Sequence, residues 1–482
     1  MSQSTIALGI IFFIVVAGSA LGFYAGAHRK MNLEQWIVGG RGFGTLMMWL
    51  LMAGEIYTAF SFLGLSGWTY SRGGPTLYDL GYISLSFVVG YFILPPIWEL
   101  GRKHGLQTQP DFFLIRYGNK SLAAIVAAVG VAFMIPYLVL QLKGIGIIVE
   151  TASFGGIGRT AAMLIGAVLL TAFVFTSGIR AVAWVSVAKD LLMIVAVAAI
   201  GLWIPHVYFG GVGPMFTKLA QTHASHLTMP GATPNLGHLW FVTTVLMTSV
   251  GAAMWPHCFG ATYTAKDADT IRRNATVLPL YQFSLIFVFI AGFAVVMVAP
   301  GMRDGDMAVL TVARQTFPAW MLGVIGGAGA LTAMVPAAIM ILTAATLFAK
   351  NLVRPVLAPQ LTDEQVARLA HGTVIALAVV SVAFAIATPT SLVSLLLVGY
   401  AGVAQFFPGV ILGLTWKRTS AAGVLAGLVC GVVCAAALIL SGRDPWSGWN
   451  AGFIALCVNF AVVILVSAAV RAGGHGAEQT AG

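Results

Sequence analysis

The sequence predicts an all-α integral membrane protein of about 13 transmembrane helices. Three observations predict it. Of its 482 residues 59% are hydrophobic and only 8% charged, a balance that no water-soluble surface sustains. Apolar stretches of about 20 residues, the length that crosses a hydrocarbon core, recur from Thr5 to Val470. The segments between them are short and rich in Gly, Pro and charge, which leaves no soluble domain.

The spans lie near residues 5–27, 45–70, 77–99, 121–149, 160–178, 181–205, 240–263, 276–299, 319–348, 370–388, 391–415, 420–440 and 449–470. Most of the 25 Lys and Arg fall on one side if the N-terminus lies outside and the C-terminus inside. The net charge of +10 is this loop asymmetry; without a basic run or a stacking platform it does not point to nucleic acid. The first span lacks a basic leader and is followed by Arg29 and Lys30, so it reads as a retained span. The four Cys read as small apolar residues; Cys430 and Cys434 share a helical face without a metal or disulfide pattern. Segment 206–239, with His206, His223 and His226, is longer than a hairpin, and its histidine spacing fits a solvated loop or lid better than a metal motif. LAPQLTDEQVARLAHG carries a Thr362 N-cap pattern and reads as a short surface helix; the tail from Arg471 reads as disordered.

Three spans carry breaks, which membrane helices tolerate only where protein or a cavity satisfies the freed backbone. The second, LMAGEIYTAFSFLGLSGWTY, holds Gly54, Glu55, Thr58, Ser61, Gly64, Ser66 and Gly67. The seventh, TSVGAAMWPHCFGATYT, holds Trp255, Pro256 and His257. The ninth, GALTAMVPAAIMILTAATLFAKN, holds Pro336, which frees the carbonyl of Thr332 unless it is merely a packing kink. The second and seventh are five spans apart, the spacing of equivalent elements in inverted five-helix repeats.

An intramembrane carboxylate is costly and usually paired, so Glu55 is expected to face Lys189 or Lys143. Gly54, Thr58 and Ser61 are candidate donors for an anion at the first break. Tyr137 and Gln141, at i and i+4, make a polar stripe on the fourth span. Lys143 lies on another face and reads as a structural pair with Glu150 or Glu55. At the second break Trp255 can wall the site and His257 can bind a carboxylate or relay a proton. Tyr263 and Tyr400 are gate candidates. Each polar residue also has a plain reading as helix-packing glue. No Ser/His/Asp set, metal motif or phosphate loop suggests an enzyme.

FSFLGLSGWTYSRGG, GLQTQPDFFLIRYGNKS, PYLVLQLKGIG, SGIRAVAW and LFAKNLVRPV, in this order over nearly the whole chain, resemble the sodium:solute symporter family. WPHCFGATYTAKD and the ninth span look most like its bacterial monocarboxylate permease branch. The resemblance implies a LeuT-type 5+5 inverted repeat: an extra N-terminal helix at 1–30, repeats at 45–205 and 240–415, the connecting loop 206–239, and two C-terminal helices with a tail at 416–482. It also implies a bacterial inner membrane location, with the N-terminus periplasmic and the C-terminus cytoplasmic.

Sodium-coupled members hold Na⁺ between carbonyls of the first broken helix and a hydroxyl pair, as a hard cation requires. Aligned on FAKNL, that pair falls on Val335 and Pro336, and a family aspartate falls on Ser186. One turn on stands Lys189, whose placement resembles that of a lysine replacing the sodium in proton-coupled relatives of this fold. An ammonium needs only oxygen acceptors, and burial brings lysine titration within reach of physiological pH. Ion coupling is therefore assigned to Lys189 with Glu55, Thr332 and Pro336, although Lys189 can also be read as snorkelling to the headgroups. Asp190 is not expected to pair with it, because successive helical residues point about 100° apart. The implied function is symport of lactate, pyruvate, acetate or similar acids with H⁺, and no cofactor beyond the coupling H⁺ or Na⁺. Two alternatives stand beside it: Na⁺-coupled symport of pantothenate, proline or another amino acid, and a membrane sensor domain.

Overall fold

Glycine decides how closely several of these helices approach. The structure, a computed structural model, describes residues 2–26, 38–176 and 179–479. Arg29, Lys30, and Ser177 and Gly178 of SGIRAVAW lie outside the described residues. Helix α1 is Gln3–Gly26. The second span comes as two pieces, α2 (Thr45–Ile56) and α3 (Leu65–Arg72), with a wide π-turn at Phe60–Gly64 and a bend of 54°. Next come α4 (Tyr78–His104), the short α5 (Gln109–Tyr117), α6 (Lys120–Ala152), α7 (Arg159–Thr176) and α8 (Ile179–Phe209). Segment 206–239 is not a plain loop, for it holds α9 (Val212–Thr222).

The seventh span is also two pieces, α10 (His238–Ala252) and α11 (Pro256–Thr262), bent by 47°. It is followed by α12 (Ala268–Val277), α13 (Phe283–Val298), α14 (Ala308–Thr316) and α15 (Ala319–Thr346). The chain closes with α16 (Asp363–Ala387), α17 (Leu392–Val403), α18 (Phe407–Thr415), α19 (Ala421–Leu440) and α20 (Ala451–Gln479). Among the described residues ten helical stretches are long and apolar enough to cross a bilayer, besides the two bent pairs and the shorter α7.

The chemistry of each break is local. Tyr57 turns extended at the end of α2, and the amides and carbonyls this frees find side-chain partners. The Ala59 amide donates to Oε1 of Gln141 at 3.1 Å, the Phe60 amide to Oγ1 of Thr58 at 3.1 Å, and the Ser61 hydroxyl to the Ile56 carbonyl at 3.3 Å. At the second break Pro256 supplies no amide and forces Trp255 extended, so α11 begins there.

Three sequence expectations need correction. Helix α15 runs unbroken through Pro336, with α1, α6 and α8 packed around it, despite the missing hydrogen bond. The expected surface helix is no separate element: the Thr362–Gln365 capping box starts α16, which continues into the span. The last helix extends to Gln479, where a disordered tail was expected.

Small residues set the contacts. Gly323, Gly326 and Gly327 of α15 face Ala7, Ile10, Ile11 and Ile14 of α1, and Gly423, Gly427 and Gly431 of α19 face α20 at Asn459, Val463 and Ser467. Two of the recognised motifs also meet. Lys350 and Asn351, turned to one side by a second π-turn at Leu347–Val353, grip Asp111 at 2.8 and 2.9 Å, and the Thr108 hydroxyl donates to Oδ1 of Asn351 at 2.9 Å.

A methyl added at Gly201 of α8 would lie 2.7 Å from Cα of Phe287 on α13, a backbone atom that cannot swing aside. Gly201→Ala is expected to cost about 1–3 kcal/mol and lower the melting temperature of the solubilised protein. Gly9→Ala, with open space around it, should melt like the parent.

Candidate functional site

Lys189 is fully buried on α8, at the break between α2 and α3. Its Nζ donates to the carbonyls of Gly54 at 3.1 Å and Tyr57 at 2.9 Å, and lies 2.9 Å from Oδ1 of Asp190. A lysine ammonium has three donors, and each has an acceptor here. The snorkelling alternative does not hold. The expectation that Asp190 stands apart is corrected too: the four-carbon stem carries Nζ far enough from its own Cβ direction to reach the neighbouring carboxylate. Asp190 is steadied in turn by the Tyr281 hydroxyl at 3.3 Å.

Thr332 is corrected as well. Its carbonyl is not among the acceptors of Lys189, and its buried hydroxyl has no partner. Val335 and Ser186 do gather at this locus. A methyl on Gly54 would lie 2.9 Å from Cβ of Ser186 and 3.7 Å from Val335. Gly54 is therefore required by close approach, which also lets its carbonyl meet the amine.

Beside the break, between α2, α4, α6, α11 and α17, lies a cavity of about 80 Å³. Of the predicted residues Glu55, Tyr137, Trp255 and His257 line it, with the gate candidate Tyr400. Gly54, Thr58, Ser61 and Gln141 do not; their oxygens lie at the backbone of the break, as described above, while Nε2 of Gln141 is buried without a partner. Glu55 faces neither lysine expected for it. Its Oε2 lies 3.2 Å from Nε2 of His257, at ion-pair distance but out of hydrogen-bond alignment, so both carboxylate oxygens remain unpartnered. Trp255 packs between Tyr137 and Tyr400, with ring centroids 4.8 and 5.2 Å away. Tyr263 sits elsewhere, against Gly101.

A second cavity of about 400 Å³ lies at the α3 end. Arg72, Lys143, Arg159 and Arg303 line it, against Asp304 and Asp306. Lys143 pairs with no carboxylate, contrary to expectation; its amine donates to the carbonyls of Thr388 and Thr390. Glu150 instead pairs with Arg159 at 2.7 Å. The loop residue Asp306 packs on Gly67 of α3 and accepts the Leu392 amide at the start of α17 at 2.9 Å. Of the loop histidines, His226 contacts the Tyr70 carbonyl at 3.2 Å and His223 the Thr222 hydroxyl at 2.8 Å. Neither belongs to a three-ligand metal cluster among the described residues.

This geometry can be set beside known proteins. A family model described as "Sodium:solute symporter family" matches residues 36–431. The chain belongs to the sodium:solute symporter family. Among similar proteins are the uncharacterized symporter YhjB of Bacillus subtilis, 41% identical over 96% of this chain and 97% of its own, and the monocarboxylate transport permease protein of Rhizobium johnstonii, 29% identical over 98% of both. A Na⁺-coupled sialic acid symporter, solved in a substrate-bound outward-open state, superposes with a TM-score of 0.81 at 16% identity, over 97% of this chain and 98% of that one. The fold is of the LeuT type. This symporter is accordingly a multi-pass membrane transporter and not an enzyme.

Among the lining residues that sequence reasoning missed are Tyr82 and Cys258, and a buried acid outside the lining was missed as well. Asp79, fully buried with both oxygens unpartnered, looks like an ordinary first-turn acid in YDLGY. Tyr82, one turn on, and Cys258 both line the cavity. Only their intramembrane position could have flagged them.

Burial pushes the Asp306 carboxyl up from 3.8 to about 7, opposed by the Leu392 amide, raised further by Asp304 and lowered by Lys143 and Arg159. The packed loop thus binds this proton more tightly than an open loop does. Its extra stability is fully present below about 4 and is lost as pH rises through about 7. Hydrogen-exchange protection of Asp304–Met307 should therefore fall across that window, and Asp306→Asn should abolish the dependence; an unchanged profile in the variant contradicts the assignment.

Proposed function

We propose that this symporter imports short monocarboxylates such as lactate, pyruvate or acetate, driven by protons, with the Lys189 amine standing where sodium-coupled relatives hold their ion. The observation that carries this reading is the amine itself, tied to the Gly54 and Tyr57 carbonyls and to Asp190. With its proton, all three donors are used and α2 is bound to α8. Without it, one donor is gone and Asp190 loses its counter-charge, so the broken helix is freed to tilt. Gain and loss of a proton then do what arrival and departure of a metal cation would do.

The substrate class rests on four supports. One relative is a monocarboxylate transport permease. A water takes up about 10–15 Å³ on a comparable measure, so a cavity of about 80 Å³ suits a three-carbon acid better than a sugar. Its wall pairs apolar Met48, Met52, Ile83 and Phe87 with two partnerless buried nitrogens, the Trp255 indole N–H and Nδ1 of His257, suited to two carboxylate oxygens. The basic vestibule beyond α3 collects anions.

On this reading the repeats run over 45–205 and 240–415 of an inner-membrane protein whose N-terminus is periplasmic and C-terminus cytoplasmic, and no cofactor beyond the coupling ion is needed. One observation favours a second reading: the free Glu55 carboxylate in the cavity would suit the ammonium of an amino acid. Labelled pyruvate uptake in proteoliposomes decides between them. Excess lactate or acetate should compete, while alanine, proline and pantothenate should not; the reverse pattern would sink the monocarboxylate assignment.

Lys189→Met strands Asp190 as a buried unpaired carboxylate, at a cost of about 3–5 kcal/mol, so Lys189→Met/Asp190→Asn is the cleaner variant. It should lose concentrative uptake but retain solute exchange between equal internal and external pools. Retained accumulation contradicts the role of the amine.

A further inference from the structure

The small cavity gathers three metal-ligating side chains from the two broken helices. A carboxylate oxygen of Glu55, a ring nitrogen of His257 and Sγ of Cys258 all lie within 4.8 Å of one another. We propose that they form a binding site for a borderline or soft divalent ion of the zinc or cadmium class, and that the bound ion blocks transport. Only the blocking rests on the proposed function, which places the solute in this cavity; the binding does not.

The donor set chooses the metal. A thiolate with an imidazole suits zinc-like ions and is a poor match for Na⁺, Mg²⁺ or Ca²⁺, which want oxygen shells. Zinc bonds run about 2.3 Å to sulfur and about 2.0–2.2 Å to nitrogen and oxygen. In a tetrahedral site two such ligands lie about 3.4–3.6 Å apart, so the group, spread over up to 4.8 Å without an ion, has to close in by up to about 1.4 Å through side-chain rotation. An independent observation points the same way: both Glu55 oxygens and Nδ1 of His257 are buried without a hydrogen-bond partner, although buried polar atoms normally find one.

The backbone prepares the site. Pro256 starts α11 at the break, so His257 and Cys258 stand in its first turn, facing the end of α2 where Glu55 sits. The cavity around them leaves a fourth coordination position for water. Cys258 is the one cysteine that lines this cavity; Cys430 and Cys457 are exposed on α19 and α20, and Cys434 is partly exposed.

Cobalt(II) replaces zinc and gives a near-ultraviolet charge-transfer band only when a thiolate binds it, so it reports the site without any transport. The purified full chain should show this band, saturating near one equivalent. It should persist in Cys430→Ser/Cys434→Ser/Cys457→Ser and vanish in Cys258→Ser. His257→Gln, which keeps the thiol, should weaken Co²⁺ binding at least tenfold. In proteoliposomes Zn²⁺ should inhibit uptake, and Cys258→Ser should need at least tenfold more for half-inhibition relative to its own uninhibited rate. No band, or a band that survives Cys258→Ser, overturns the site; a normal band with Zn²⁺-insensitive uptake overturns the block. An intact band in a protein that transports no monocarboxylate refutes the substrate assignment alone.

Discussion

The arrangement depends on one constraint: backbone carbonyls exposed by a broken helix inside a membrane must be given a partner, and here a tethered amine supplies it. The carbonyls of Gly54 and Tyr57 turn toward Lys189 because Tyr57 leaves the helical conformation, and Gly54 lets α8 come close enough for the amine to arrive. Asp190 completes the set of acceptors. Around this knot Gln141, Thr58 and Ser61 each give one oxygen to the irregular backbone of the break.

The fold was largely legible, because span length, glycine spacing and proline position act through local rules. Both true breaks were marked by the same signal, small and polar residues grouped within an apolar run. Pro336 was misread because a proline alone states only that one hydrogen bond is missing; whether the helix bends depends on neighbours remote in sequence. The site was legible by residue type more than by partner. Lys189 was expected among the carbonyls of the break. The approach of Glu55 to His257 was not, because it joins two helices whose relative rotation no periodicity records. Asp190 shows the opposite limit: Cβ direction is a sound guide for short side chains and a poor one for lysine.

The two cavities divide the electrostatic labour. Toward the α3 end, arginines and a lysine surround a wide space, and Asp306 ties the loop to both α3 and α17. Deeper, the walls become aromatic and aliphatic, with one carboxylate and one imidazole. On the proposed reading, long-range charge draws an anion in and few, directed contacts hold it. At the other end Lys350 and Asn351, just beyond α15, are bound to Asp111 of α5.

The central claim is that a proton on Lys189 does the work of a sodium ion. Its most direct test is the internal pH of proteoliposomes holding a trapped dye, followed after pyruvate is added in strictly sodium-free medium. The account predicts that the lumen acidifies as pyruvate enters, at a rate indifferent to added Na⁺. A lumen whose pH stays constant, with entry only when Na⁺ is present, would contradict it.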